Sequence, residues 1–310
     1  MRHFFFRDSI EYKKYRENFY IVENKDKVTK RVTDFYADLP FPNYDNFETI
    51  RDLSNKLENN AFLRNFKKEL GFGKKVIEVG SGTSQLSIML AHNTNNYVVA
   101  FDPTIQSLML GNNFAEKNNL KNCFFLNGDI FNDPIEHCTF DVVWCTGVLH
   151  HTKDSLEAFN IISKWLKPGG IMVLGLYNKY GRLRTNFRQF IYKILGNKLG
   201  RKYVLFFDPY LRKDISENKT NSWINDQYEH PVERSHTIDE TLKWFDKNNI
   251  EFLNTIPSSN LSDENFEQIF QKKDRGSFFS RLIAQISMLF NNLGSEGGLF
   301  IIYGRKSNDS

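Results

Sequence analysis

Cysteine is almost missing from this chain: Cys123, Cys138 and Cys145 are the only three in 310 residues. An odd number without paired short spacing excludes a disulfide framework, a thiolate zinc site and a dithiol redox motif, and leaves buried thiols as the expectation. No neighbouring residue marks a lowered thiol pKa, so a catalytic cysteine is not expected either. Long apolar runs are missing too. The longest, from Ser277 to Phe290, is interrupted by Arg281 and Gln285 and falls short of the roughly 20 residues of a membrane span. The opening MRHFFFRDSIEYKKYRENFY breaks its three phenylalanines at once with charge and lacks the pattern of a secretory signal, so a cytoplasmic protein is expected. Excess charge is also lacking. A net +4 over the whole chain does not make nucleic acid or an anionic membrane an obligatory partner, and any such contact has to come from local clusters. There is no internal repeat, and nothing in the composition sets an oligomeric state.

What the chain does have is ordinary globular composition, 40% hydrophobic and 25% charged, enough to bury a substantial core. Residues 1–73 are charge-rich and helical in pattern, with the stretch DLPFPNYDNF around Pro40 and Pro42 as an interruption. From Lys75 the texture changes. The runs VIEV, YVVAF, CFFL, FDVVWC and GIMVLGLY alternate with helix-length segments, and EFLNTIP and GLFIIYGRK add two more strand candidates. Strands alternating with helices predict an α/β fold whose parallel sheet is covered on both faces. Among the helices, one opens at Asp154 with Glu157 three residues on, presents Leu156, Phe159, Ile162, Trp165 and Leu166 on one face, and stops at Lys167-Pro168-Gly169-Gly170. Another opens at Thr237 with Glu240. The resulting plan is a helical N-terminal extension at 1–73, a core at 74–177, an insertion at 178–236, and a C-terminal completion at 237–310 with a helical insertion at about 258–297.

The sharpest motif is VIEVGSGTSQLSIML, a strand ending in Glu78-Val79-Gly80-Ser81-Gly82 that runs into a helix. Gly80 and Gly82 permit a tight turn and a close approach of backbone to ligand. A dinucleotide fingerprint would need a third glycine where Gln85 stands, which weighs against NAD. Asp102 ends the second core strand, where a carboxylate can accept from both hydroxyls of a ribose. Asp129 follows the third strand in Asn127-Gly128-Asp129-Ile130 and can accept from the amino group of adenine. CTGVLHHTKD follows the fourth strand and LKPGG precedes the fifth.

Taken in order, these motifs resemble the class I S-adenosylmethionine-dependent methyltransferases, over residues 74 to 177 with the terminal strands in support. The resemblance implies a Rossmann-like seven-stranded sheet, mostly parallel with an antiparallel last strand, lid insertions, and S-adenosylmethionine as cofactor. It implies that Glu78, Gly80, Ser81, Gly82, Asp102, Asp129, Ile130 and Thr146 form the cofactor site, with Gly80 and Gly82 at the methionine moiety and Thr146 near its carboxylate or sulfonium. Ser84 departs from the pattern, because many members carry a glycine there. FYADLPFPNYD, GLYNKYGRLRTNFRQ and DQYEHPVERSHTIDETLKWF further resemble a subgroup of bacterial methyltransferases.

Methyl transfer chiefly requires alignment, and a base only when the acceptor has a proton to lose. His150 and His151 follow the fourth strand, titrate in a suitable range and point opposite ways in an extended segment, so one of them is expected to face the pocket, with His150 preferred. They lack a third ligand, so no metal site is expected. Tyr177 and Tyr180 lie just past the fifth strand and can orient an acceptor. Arg184 opens the insertion in RLRTNFRQFIYKIL, where Leu183, Phe187, Phe190, Ile191 and Ile194 share one helical face expected to close over the cofactor mouth. Its arginines and lysines suit an anionic substrate, RNA or a lipid interface, or simply a solvated basic face. Asp226, Tyr228, His230, Glu233 and His236 cluster without periodicity and suit an acceptor pocket, with Tyr228, His230 and His236 as contacts. The expected activity is methyl transfer to a small metabolite or lipid-like acceptor. The competing readings are a non-catalytic module binding adenosylmethionine or RNA, and a nicotinamide-dependent oxidoreductase.

Overall fold

The computed structural model describes residues 4–23, 27–37, 49–213, 215–230, 233–262, 266–290 and 298–308. The stretch around Pro40 and Pro42 lies outside the described residues. In chain order the elements are β1 (Lys13–Arg16), β2 (Phe19–Ile21), α1 (Lys27–Ala37), α2 (Ile50–Asn59), α3 (Ala61–Leu70), β3 (Lys75–Val79), α4 (Gln85–Ala91), β4 (Tyr97–Asp102), α5 (Ile105–Lys117), β5 (Cys123–Asn127), β6 (Phe140–Thr146), α6 (Ser155–Lys164), β7 (Leu166–Tyr177), α7 (Leu183–Phe207), α8 (Glu217–Ile224), α9 (Ile238–Lys247), β8 (Ile250–Ile256), α10 (Phe278–Ser287) and β9 (Leu299–Lys306).

All nine strands form one sheet in the order β1-β2-β5-β4-β3-β6-β7-β9-β8. Strands β3 to β7 pair in parallel, and β9 slots antiparallel between β7 and β8. Residue alternation shows why both faces are covered. Along β4, Val98 and Ala100 join the cluster beneath α2 to α5, while Val99 and Phe101 join the cluster beneath α6 and α9; Val142 and Trp144 against Val143 and Cys145 repeat this on β6. The helix starts at Asp154 and Thr237 carry their caps: Glu157 N donates to Asp154 at 2.9 Å and Glu240 N to Thr237 at 3.1 Å.

Two expectations are corrected. The sheet has nine strands, because residues 13–21 form a hairpin whose second strand pairs parallel with β5, Phe19 opposite Phe125. The N-terminal extension is therefore only partly helical. Aromatic burial drives the difference: Phe5, Phe6 and Tyr20 are buried, and Phe6 stacks on Tyr12 at 4.0 Å. Leu166 to Gly170 also belong to β7, so the α6 helix ends earlier than its apolar face suggested. Of the cysteines, Cys138 is exposed while Cys123 and Cys145 are buried, and burial pushes both buried thiols up.

Candidate active site

The carboxyl ends of β3, β4, β5 and β6 open onto a cavity of about 1070 Å³. Its floor is the turn from β3 into α4. Gly80 has φ +71°, and a Cβ there would lie 2.1 Å from Val148 Cγ2. Gly80 N and Ser81 N donate to the Phe101 carbonyl at 2.8 and 3.1 Å, so the loop leans on the end of β4. Ser84, in the place of the missing third glycine, holds the left-handed conformation that glycine would favour, φ 64°. Room for its side chain comes from α5: a Cβ on Gly111 would lie 2.8 Å from Ser84 Cβ and 2.7 Å from the Thr83 carbonyl oxygen.

Four buried carboxylates line the cavity, and three of them, Glu78, Asp102 and Asp129, come from the strand ends. Glu78 accepts from Ser87 N at 2.8 Å and Ser87 Oγ at 2.5 Å; it thereby caps the start of α4, for which Ser84 supplies no side-chain cap. Burial pushes its carboxyl up to about 8. Asp102 accepts from Thr104 N on one oxygen at 2.7 Å and from Gly82 N on the other at 2.8 Å. Burial raises its pKa against the opposing pull of those N–H groups. Asp129 accepts from Phe131 N at 3.0 Å and starts the short turn at Ile130. Gly80, Ser81, Gly82, Ile130 and Thr146 complete the set of eight residues that the motifs pointed to, and all eight face this one cavity.

Tyr36, His151, Tyr177 and Asp226 line the same cavity. Tyr36 donates to Asp226 at 2.5 Å, and Gln227 Nε2 donates to both Asp226 Oδ2 at 2.7 Å and the Tyr177 hydroxyl at 2.8 Å. Desolvation and the Asp226 charge hold the Tyr36 phenol well above its ordinary pKa. Behind this row lies Arg182, wholly buried, its guanidinium 3.7 Å from the Tyr177 ring and bonded to Glu233 at 2.7 Å and Gln227 at 2.5 Å. These contacts fix the turn Asn225–Glu229, which carries Asp226 to the cavity. Tyr36 and Asp226 were not singled out as contacts by motif. Asp226 stood within the polar cluster and Tyr36 within FYADLPFPNYD, which was the only signal available.

The remaining sequence-predicted residues go elsewhere. His150, the preferred base, does not line the cavity: it is fully buried, stacks on Tyr177 at 4.0 Å, and its Nε2 has no hydrogen-bond partner. Burial and the neighbouring His151 and Arg182 hold its pKa well below the ordinary value, so it is neutral. Tyr180 sits beside the turn at Asn178, donating its backbone N–H to Asn178 Oδ1. Arg184 is exposed and donates to the Leu289 carbonyl at 2.9 Å. Tyr228 is bonded to Asp208 at 2.6 Å within the insertion's own small core of Tyr192, Val204, Leu211 and Trp223. His236 bridges Glu240 and Ser155 at 3.1 and 3.2 Å, tying α9 to α6. His230 stays near the site, its ring 3.7 Å from that of His151. The apolar stripe of α7 does not cover the cavity mouth; Leu183, Phe187, Phe190 and Ile194 are exposed. Among the described residues no group of three or more His, Cys, Asp or Glu could hold a metal ion, and no helix is long and apolar enough to cross a membrane.

Residues 71–197 match the family described as a methyltransferase domain. The chain is 30% identical over 112 residues to the ubiquinone biosynthesis O-methyltransferase of Actinobacillus pleuropneumoniae, covering 35% of this chain and 47% of that one. It is 29% identical over 115 residues to phosphoethanolamine N-methyltransferase 1 of Zea mays, covering 36% and 22%. The chain thus spans less than half the length of either relative. A solved structure, PKMT2 from Rickettsia typhi in complex with AdoHcy, aligns over 86% of this chain and 55% of its own with a TM-score of 0.58 and 14% identity, which is a likeness of fold. Strand order, glycine loop and domain match agree: residues 71–197 match a methyltransferase domain, and the mostly parallel sheet with antiparallel β9 is that of methyltransferase folds.

Proposed function

We propose that this protein binds S-adenosylmethionine and transfers its methyl group to a small-molecule or lipid-like acceptor, in a cytoplasmic setting. The carrying observation is that one cavity is lined both by the eight cofactor-motif residues and by a second polar group, Tyr36, His151, Tyr177 and Asp226. At about 1070 Å³ it is at the upper limit of single-ligand pockets, which suits two ligands at once. The carboxylates fit the cofactor chemically: Asp102 and Asp129 are acceptors, and ribose hydroxyls and the adenine amino group are donors. When bound, the sulfonium supplies the methyl group and leaves as a neutral thioether. The chain's own task is to hold the acceptor in line, exclude water and receive a proton where the acceptor loses one.

His151, not His150, is assigned that last role, because only its ring lines the cavity. Tyr177 and Asp226 orient the acceptor, fixed in turn by Gln227 and Arg182. Phe62, Leu63, Met89 and Ile256 line another wall and favour an acceptor with an apolar part. The two relatives named above methylate oxygen and nitrogen, so the similarity leaves the acceptor atom open. Calorimetric titration tests the cofactor: adenosylmethionine and adenosylhomocysteine should bind and NAD should not. The reverse would restore the oxidoreductase reading. Mass spectrometry of cells with and without the protein should reveal a pair of metabolites differing by one methyl group. Identical profiles alongside tight adenosylmethionine binding would point to a non-catalytic module.

A further inference from the structure

The insertion helix α7 is inside out. By about 100° per residue, Leu183, Phe187, Phe190 and Ile194 form one narrow stripe, and the opposite side carries Thr185 and Tyr192. It is the opposite side that is buried. Thr185 and Tyr192 are buried, Arg188 bonds Tyr228, Gln189 bonds the Gln227 carbonyl and Tyr192 bonds Glu229. The apolar stripe faces solvent, its four residues 50 to 67% exposed. A second helix repeats the pattern at the same spacing: Phe279, Ile283, Ile286 and Phe290, along and just beyond α10, are 39 to 77% exposed. The two helices meet where Arg184 donates to the Leu289 carbonyl and where Gly181 packs against Met288. Exposed apolar area gathered on two adjoining helices is not expected of a surface left in water.

Charge identifies what covers it. From Leu183 to Gly196, where a non-helical residue (φ 68°) breaks α7 in two, the helix carries Arg184, Arg188 and Lys193 and no Asp or Glu, and Lys198, Arg201 and Lys202 follow beyond the break, again without an acid before Phe207, although the chain as a whole is nearly balanced. Arg184 and Lys193 flank the stripe, one on each side, roughly 80 to 100° away around the helix. Both are exposed, as are Lys198 and Lys202. A row of phenylalanines and aliphatic residues bordered by exposed cations matches an interface that is apolar inside and anionic at its rim. We propose that α7 and α10 form a docking surface for an anionic lipid bilayer, lying in the headgroup region without spanning it.

The test is co-sedimentation of the full chain with vesicles of phosphatidylcholine alone or mixed with an equal part of phosphatidylglycerol. Binding is expected to the mixed vesicles and to weaken as salt is raised. The double variant Phe187→Ser/Phe190→Ser should bind about 100-fold more weakly, since two exposed rings lose their apolar burial. Arg184→Glu/Lys193→Glu should bind at least about tenfold more weakly and lose much of the salt dependence. Because both rings are at the surface, the phenylalanine variant should keep the wild-type thermal transition; Arg184→Glu also removes the bond to the Leu289 carbonyl, so Lys193→Glu alone should weaken binding in the same direction with that transition unchanged. The proposal is overturned if the wild type stays in the supernatant, if neutral vesicles bind it equally, or if the phenylalanine variant sediments like wild type. It is equally overturned if ultracentrifugation shows self-association that the phenylalanine variant abolishes, because the stripe would then belong to a second copy of the chain.

Discussion

Replacing Asp102 separates its two tasks. In the structure its carboxylate accepts from Gly82 N and Thr104 N at 2.8 and 2.7 Å, so it pins the glycine loop and the start of α5. Each carboxylate oxygen can accept a second bond, and the proposed function assigns those places to the ribose. Asp102→Asn keeps one oxygen for the loop and turns an NH2 group toward the other N–H. Losing one charge-assisted bond should cost roughly 1.5–3 kcal/mol of stability, and affinity for adenosylhomocysteine should fall by about 10 to 100-fold. Asp102→Ala removes both loop bonds and should be the less stable of the two. The assays are chemical unfolding for the loop and calorimetry, on protein shown to be folded, for the ligand. If Asp102→Asn loses stability yet binds adenosylhomocysteine with wild-type affinity, Asp102 serves the loop alone and the ribose assignment is wrong.

Other perturbations follow from the same geometry. Gly111→Ala should destabilise by about 1–3 kcal/mol despite the better helix propensity of alanine, and less so in a Ser84→Gly background, because two of the three nearest atoms belong to Ser84; additive unfolding energies would refute the contact. Glu78, with its folded pKa raised from 4.5 to about 8, favours the fold in its protonated form. Its stabilisation is complete below pH 4.5 and is lost as pH rises toward about 8, at up to about 1.4 kcal/mol per pH unit; Glu78→Gln should flatten that part of the stability profile, and an unchanged slope would contradict it. Arg182→Ala should cost roughly 3–5 kcal/mol by leaving Glu233 and Gln227 unsatisfied, measured by thermal or denaturant unfolding. Once the acceptor is identified, His151→Gln should lower kcat by about 100-fold or more, whereas a folded His150→Gln protein should keep most of its kcat. The opposite pattern would return the base to His150.

The core was legible where local chemistry repeats on a short scale. Val76, Ile77, Val98, Val99, Val142 and Val143 announce strands buried on both faces, and Asp154 and Thr237 announce helix starts. The cavity lining at the strand ends was legible for the same reason, since Gly80, Asp102 and Asp129 each sit at or just after the end of a strand that could be read. The hairpin at 13–21 was not, because its second strand is three residues long and is held by aromatic contacts from Phe5 and Phe6 rather than by its own alternation. Ser84 looked like a loss of the glycine pattern. Its backbone is in the left-handed conformation that glycine favours, accommodated by Gly111, which lies 27 positions away in sequence and carries no motif of its own.

The part of the cavity lining that comes from the insertion was read least well, and the reason is specific. Tyr228, His230 and His236 stand within eleven residues of Asp226, yet only Asp226 lines the cavity. Two turns decide this. A wide helical turn at Asn225–Glu229 directs Asp226 inward and Tyr228 toward Asp208, and the bridge from His236 to Asn178 carries the last histidine away to α6 and α9. Neither turn has a residue signature, because the first is held by the buried Arg182 pairing with Gln227 and Glu233 across 45 and 51 residues, and the second by backbone bonds of His236 with Tyr177 and Lys179. The same pairing inverts α7. An apolar stripe in a sequence is ordinarily the side that packs, but here the polar side has the stronger claim, since a buried guanidinium, two carboxylates and two glutamines must be satisfied among themselves. Once that network fixes the rotation of the helix, its phenylalanines are left facing outward, and the stripe becomes a surface with a partner of its own instead of a lid.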